Sequence, residues 1–227
     1  MLKNLKNKNI LVTSGGTQEY IDDFRILTNI STGKLGAITA DTLTNAKANV
    51  FFVHGKTSVL PKKKMQLVQS VKSTQNALEA IQNVIQENEI HAVVHAMAVS
   101  DFTFKKSASI KCKSTDPKAF IEYMSKTIAI NPKIISYIKK WNPNIKLIGF
   151  KFEIDLTIDE QVALAKKSIN TNKCDLVIIN DKKEMQQQKQ HIARFVFPEI
   201  SGFNKVIQYN GKSEIASGIK TFLKEIL

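Results

Sequence analysis

A mainly parallel sheet flanked by helices, in a single domain, is what this sequence predicts. Three observations carry that reading. Runs of β-branched residues alternate with amphipathic helical patterns through most of the chain, the signature of parallel strands joined by crossover helices. No Pro- or Gly-rich tract, low-complexity segment or internal repeat separates lobes within the 227 residues. The hydrophobic share of 43%, with 9 glycines and 5 prolines, is that of an ordinary globular protein, long enough to bury about 70% of its unfolded surface.

The elements follow in order. Strands are expected near Asn9 to Thr13, Asn49 to Val53, Gln66 to Val71, Ala92 to His95, Lys146 to Phe150 and Asp175 to Ile179. Between them the 3.6-residue period predicts helices near Gly33 to Ala46, Thr74 to Asn88, Pro132 to Lys140 and Asp159 to Ser168. The tail differs: "ARFVFP" and "KVIQYNG" read as an antiparallel pair, closed by a helix from Ser213 to about Glu225. The segment 102–118 is polar and aperiodic and reads as a mobile loop, and the stretch after it fits strand or helix. "KKEMQQQKQH" reads as an exposed connection. The whole is a Rossmann-like α/β fold with an antiparallel pair near the C-terminus, one domain over 1–227.

Charge and cysteine content exclude several classes of function. The net charge of +13 attracts phosphates, yet Arg25 and Arg194 are the only arginines, and base reading relies on the arginine fork. No aromatic platform for single strands accompanies the lysines. Nucleic acid is therefore not the expected partner, and anionic small molecules are. Cys112 and Cys174 are too few for a disulfide framework or a zinc site, which fits a reducing cytoplasm. His54, His91, His95 and His191 share no metal-ligand spacing. The apolar run "ILV" is too short for a signal peptide or a membrane span.

The first strand runs into Gly15-Gly16, but the next helical pattern starts only after Gly33, leaving a loop of about sixteen residues. A loop that long inside a compact domain is usually functional. It is neither a dinucleotide fingerprint nor a P-loop: no G-x-G-x-x-G spans the turn, and Leu35 follows Gly33-Lys34.

Taken whole, "VTSGGTQEYIDDFRILTNISTGKLG" resembles the amino-terminal signature of the phosphopantothenoylcysteine synthetases, the phosphopantothenate-cysteine ligases of coenzyme A biosynthesis. The likeness continues in order through "ANVFFVHG", "AMAVSDF", "IKCK", "NP", "IGFKFE" and "DLVIIND", covering about Ile10 to Asp181. The resemblance implies a stand-alone ligase, typically a homodimer whose boundary lies next to the "TNIS" loop. Its substrates would be 4'-phosphopantothenate, L-cysteine and a nucleoside triphosphate, CTP as in most bacterial members with ATP the alternative, with Mg²⁺.

The roles it implies are specific. Asn29 matches the asparagine that contacts the acyl group, although a turn-forming asparagine is the alternative. Arg25 matches the arginine of the same loop, against a structural salt bridge. Ser31, Thr32 and Gly33 precede the helix and offer a hydroxyl and amides to the substrate phosphate. Gly15, Gly16, Ala96 and Met97 fall to the nucleotide. Asp101 matches the motif aspartate that holds Mg²⁺ or a ribose hydroxyl, against a loop cap. Lys111 matches the first lysine of the family's K-x-K-K and would stabilise the leaving pyrophosphate; Lys113 is present, but Ser114 replaces the last lysine.

Pro132 would open a helix facing the base, and Phe150 matches an aromatic of the base pocket, with core packing its equal alternative. Lys167 and Lys173 lie one position off the family's lysines, so they stand as candidates for phosphate or base from the sequence alone, and the nucleotide stays open. A nicotinamide- or flavin-dependent oxidoreductase on the same sheet is the competing reading, weakened by the missing fingerprint.

Overall fold

The computed structural model describes residues 4–105, 115–199 and 206–227. The chain alternates as expected. Strand β1 (Asn9–Ser14) is followed by two three-residue strands, β2 (Gln18–Tyr20) and β3 (Ile26–Thr28), then α1 (Lys34–Asn45), β4 (Asn49–Gly55), β5 (Leu67–Val71), α2 (Thr74–Glu87) and β6 (Ala92–His95). Next come β7 (Phe102–Phe104), α3 (Pro117–Thr127), β8 (Ile128–Ile130), α4 (Ile135–Trp141), β9 (Lys146–Glu153), α5 (Ile158–Asn172) and β10 (Leu176–Asp181). The chain ends with α6 (Lys182–Gln187), β11 (Ile192–Val196), β12 (Ile207–Asn210) and α7 (Lys212–Ile226).

Eight of the strands form one sheet in the order β12-β11-β10-β9-β6-β1-β4-β5. From β10 to β5 all pairs are parallel, and β10-β11-β12 are antiparallel. The order reverses between β1 and β6. At such a reversal the two neighbouring crossovers leave the sheet in opposite directions, so a crevice opens at the carboxyl ends of those strands.

Alternation along each strand divides the core. Ile10 and Val12 of β1, Val94 of β6 and Ile178 of β10 face one side with Ala40 and Leu43 of α1 and Ile219 and Leu223 of α7. Leu11, Val93, Val177 and Ile179 face the other side with Ile81 and Val84 of α2, Ile138 of α4 and Ala165 of α5. Strands buried on both faces need apolar residues at every position, which is why they read as continuous runs.

The structure corrects four expectations. The long loop after Gly16 holds the β2–β3 hairpin, too short for any period to show. The expected mobile loop 102–118 starts as strand β7, paired antiparallel with β8, and its far end enters α3, capped by the Asp116 carboxylate accepting from the Ala119 amide; positions 106–114 lie outside the described residues. Pro132 does not open a helix, because α4 begins at Ile135, one residue past Ile134. The "KKEMQQQKQH" connection contains α6, whose Glu184 takes a bidentate pair of 2.5 Å bonds from buried Arg194.

Candidate functional site

The crevice floor is built from the turn after β1. Gly15 has φ +76° and Gly33, at the entrance to α1, has φ +70°, both in the region that disfavours side chains. A Cβ on Gly15 would lie 1.5 Å from Ser58 Oγ. The two glycines are held face to face: Ser14 Oγ donates to the Gly33 carbonyl at 2.9 Å, and the Ala98 amide donates to the Gly15 carbonyl at 2.7 Å. Among the described residues α1 has no side-chain cap, and the Lys34 amide reaches Thr32 Oγ1 only at 3.4 Å. That leaves first-turn amides and the positive end of the helix dipole directed at the crevice, where an anion is favoured.

The hairpin above this floor is anchored by a polar cluster. Glu19 is 4% exposed. Its carboxylate accepts from the Thr74 amide at 2.7 Å, Thr103 Oγ1 at 2.8 Å and Asn131 Nδ2 at 3.2 Å. The Asn131 amide also lies within 3.1 Å of Thr74 Oγ1 and the Ser100 and Phe102 carbonyls. One carboxylate and one amide thus tie β2 to α2, β7 and the start of the α4 segment.

At the hairpin's end, Arg25 pairs with buried Asp22 at 2.8 Å and lies 4.8 Å from the Phe120 ring centre of α3, which favours the structural role for this arginine. Asn29, past the hairpin, donates from Nδ2 to the Val99 carbonyl at 3.0 Å. One amide hydrogen and its carbonyl oxygen remain for a ligand. Ser31 is half-buried and Thr32 exposed beside Gly33.

Beyond Val99 a cleft of about 430 Å³ opens between α4 and α5, over the ends of β6 and β9. It gathers five of the expected residues, Met97, Asp101, Pro132, Phe150 and Lys167. It adds others that sequence reasoning did not single out, including His95, Lys133, Lys151, Ser168 and Asn172. Phe150 lines the cleft and also packs against the core on the α1 side, the second of its two expected roles. Asp101 is ion-paired with Lys133 at the rim. Burial pulls the His95 pKa down to about 4, so the ring is uncharged at neutral pH.

Four residues expected at the nucleotide do not line this cleft: Gly15 and Gly16, which form the turn at the crevice floor, and Ala96 and Lys173. Ala96 is not on the cleft wall; its amide is held by the Thr13 carbonyl at 3.2 Å. Lys173 ends α5 with φ +55° and lines a different cleft of about 680 Å³, at the opposite strand ends with Lys146 and Asp175. Lys111, Cys112, Lys113 and Ser114 lie outside the described residues. Burial pushes the Cys174 thiol up to about 12, which removes it as a nucleophile. Among the described residues no three His, Cys, Asp or Glu side chains gather as a metal site, and no helix is long and apolar enough to cross a membrane.

Glu19 and Asn131 were visible only as fragments of "GGTQE" and "NP". A buried carboxylate and a buried amide have no sequence period, and theirs becomes a pair only when the ribbons close.

Known proteins resemble this chain in sequence and fold. The family model of the DNA/pantothenate metabolism flavoprotein C-terminal domain matches residues 5–226. The coenzyme A biosynthesis bifunctional protein CoaBC of Thermococcus kodakarensis is 35% identical over 190 residues, which is 84% of this chain and 45% of that protein. This chain therefore spans less than half the length of that relative. Among solved structures, the DNA/pantothenate metabolism flavoprotein from Streptococcus pneumoniae is 33% identical with a TM-score of 0.78, covering 97% of this chain and 100% of that one. The C-terminal domain of a CoaBC protein is 25% identical with a TM-score of 0.74, covering 99% and 97%. A match of the family model over residues 5–226 places this protein in the DNA/pantothenate metabolism flavoprotein C-terminal domain family.

Proposed function

We propose that the protein ligates 4'-phosphopantothenate to L-cysteine, in the manner of the synthetase half of coenzyme A biosynthesis. The observation that carries the reading is the junction at Asn29 and Val99, where an anion-ready helix end and a nucleotide-sized cleft meet on either side of one hydrogen bond.

The reaction joins two anions, so cations and amides must neutralise them before attack. The α1 amides beside Ser31, Thr32 and Gly33 take the substrate phosphate. The triphosphate lies toward Lys133, Lys151 and Lys167, with Lys111 as a further candidate from the sequence. The substrate carboxylate attacks the α-phosphorus of the nucleotide and expels pyrophosphate, giving an acyl-nucleotidyl intermediate. The remaining amide hydrogen of Asn29 is the donor for the acyl oxygen. The cysteine amine then attacks the acyl carbon, loses a proton and expels the nucleoside monophosphate. Mg²⁺ would come with the triphosphate: among the described residues Asp101 belongs to no cluster of three possible ligands, so it would hold the cation together with phosphate oxygens rather than as part of a protein cage.

CTP is the preferred co-substrate in this reading, with ATP the alternative. A homodimer completes it, supported by apolar side chains exposed on both ribbons and α3: Phe24 at 70%, Ile30 at 98%, Ile121 at 66% and Ile130 at 81%.

The test mixes the purified protein with phosphopantothenate, Mg²⁺ and CTP or ATP, with and without cysteine, and follows pyrophosphate and the amide product. Cysteine-dependent product supports the ligase and identifies the nucleotide. Absence of pyrophosphate with both nucleotides overturns it.

A further inference from the structure

The strongest unassigned group is the His95 ring, which the expected ligand set did not include. It sits at the end of β6 on the cleft wall, 7% exposed. Its Nδ1 lies 2.9 Å from Thr13 Oγ1, and Thr13 is fully buried on the neighbouring strand.

The hydrogen-bond inventory around Thr13 fixes the tautomer. The Met97 amide donates to Thr13 Oγ1 at 3.3 Å, so that contact uses a lone pair of the hydroxyl. The hydroxyl hydrogen then has a single acceptor within reach among the described residues, His95 Nδ1. A buried hydroxyl that left its hydrogen unpaired would forfeit the bond's stabilisation. Thr13 therefore donates to Nδ1, and the hydrogen of the neutral ring resides on Nε2. No protein acceptor meets Nε2 among the described residues. The ring thus presents an uncharged N–H donor to the cleft.

The surroundings select the acceptor. Met97, Val99, Ile134 and Leu164 line the cleft with His95, whereas the positive charges belong to the flexible heads of Lys133, Lys151 and Lys167. Lysines serve phosphate oxygens; a fixed neutral donor among apolar side chains suits a neutral heteroaromatic acceptor. We infer that His95 reads the nucleobase, donating Nε2–H to a ring nitrogen or carbonyl oxygen of the base, with Thr13 as the positioning residue that locks its tautomer. This rests on the nucleotide reading of the cleft.

Binding is measured by titration calorimetry with Mg²⁺ and, separately, CTP, ATP and inorganic tripolyphosphate. His95→Phe weakens the tighter-binding nucleotide about five- to tenfold, the worth of one neutral hydrogen bond, and leaves tripolyphosphate unchanged. His95→Gln, whose amide nitrogen occupies the Nε2 position, restores affinity to within twofold. Histidine ¹⁵N NMR of the wild-type protein finds the His95 hydrogen on Nε2, and in Thr13→Val that preference is lost.

Unchanged nucleotide affinity in His95→Phe, or a hydrogen found on Nδ1 in the wild type, overturns the inference while the ligase reading stands. Wild-type protein that binds neither CTP nor ATP overturns both. Should His95→Phe not fold, the NMR assignment and the Thr13→Val comparison decide alone.

Discussion

Asn131→Ala removes the amide at the centre of the cluster that holds the ribbons. Its Nδ2 faces four acceptors, Glu19 Oε1 at 3.2 Å and Thr74 Oγ1, Ser100 O and Phe102 O at 3.1 Å. An amide has two hydrogens, so about two of these contacts are full bonds at any moment. One is to a carboxylate, worth about 1.5–3 kcal/mol, and one is neutral, worth about 0.5–1.5 kcal/mol. Glu19 keeps the Thr74 amide at 2.7 Å and Thr103 Oγ1 at 2.8 Å, which limits the damage. The expected loss is about 2–4 kcal/mol in equilibrium urea unfolding, read as a lowered midpoint with unchanged slope. Asn131→Asp serves as the control, because it sets a second buried carboxyl against Glu19. Its deficit at neutral pH exceeds that of Asn131→Ala and shrinks relative to wild type as the pH falls and the introduced carboxyl takes up a proton. A loss below about 1 kcal/mol in Asn131→Ala, or a pH-independent gap between the two variants, would refute the argument that this amide anchors the hairpin.

Four further outcomes are expected. In Gly55→Ala the new methyl lies 2.1 Å from the Gly16 carbonyl oxygen; displacing the turn costs about 1–3 kcal/mol and lowers pyrophosphate release at least tenfold, while normal turnover would free the turn from the mechanism. Lys167→Ala weakens nucleotide binding several-fold in calorimetry, whereas Lys173→Ala, in the other cleft, leaves it unchanged; the reverse result would relocate the site. Stability falls on mild acidification: burial lowers both His95 and His191 from 6.5 to about 4 in the fold, so the unfolded chain binds the extra protons between those values, and the His95 share of the loss from pH 7 to pH 5 is about 2 kcal/mol. His95→Gln flattens that part of the pH–stability curve, and a slope identical to wild type would contradict the buried neutral ring. Arg194→Met breaks the bidentate pair with Glu184 and costs about 3 kcal/mol in the same urea assay; a change under about 1 kcal/mol would mean the pair does not hold β11.

Legibility in the sequence followed the number of residues that report on each element. Strand β6 was read at its observed ends, and α2 to within one residue, because a buried four-residue run and a fourteen-residue amphipathic pattern are each self-consistent. The β2–β3 ribbon and strand β7 were missed, and the stretch holding β8 was left between strand and helix, because three residues complete no period and their pairing is set by neighbours. Site residues divided similarly. Asp101 and Phe150 came from contiguous motifs and do line the cleft. Lys167 and Lys173 looked equivalent, but six residues of helix turn through about 600°, leaving them on different faces, and the left-handed end of α5 carries Lys173 further away. His95 was dismissed for lacking metal spacing, and its relevance depends on Thr13, its neighbour only through the parallel pairing of β1 with β6.

Both ribbons leave from adjacent places. The first interrupts the path from β1 to α1 and the second the path from β6 to β9, so each is an insertion at the end of one of the two strands where the sheet order reverses. The eight-stranded sheet is complete without them. The ribbons take no part in the register of that sheet, yet the cleft wall itself stands on it, with His95 on β6, Phe150 on β9 and Lys167 on α5. A change in the first ribbon therefore reaches the cleft by two routes, through Glu19 to Asn131 and through Asn29 to Val99.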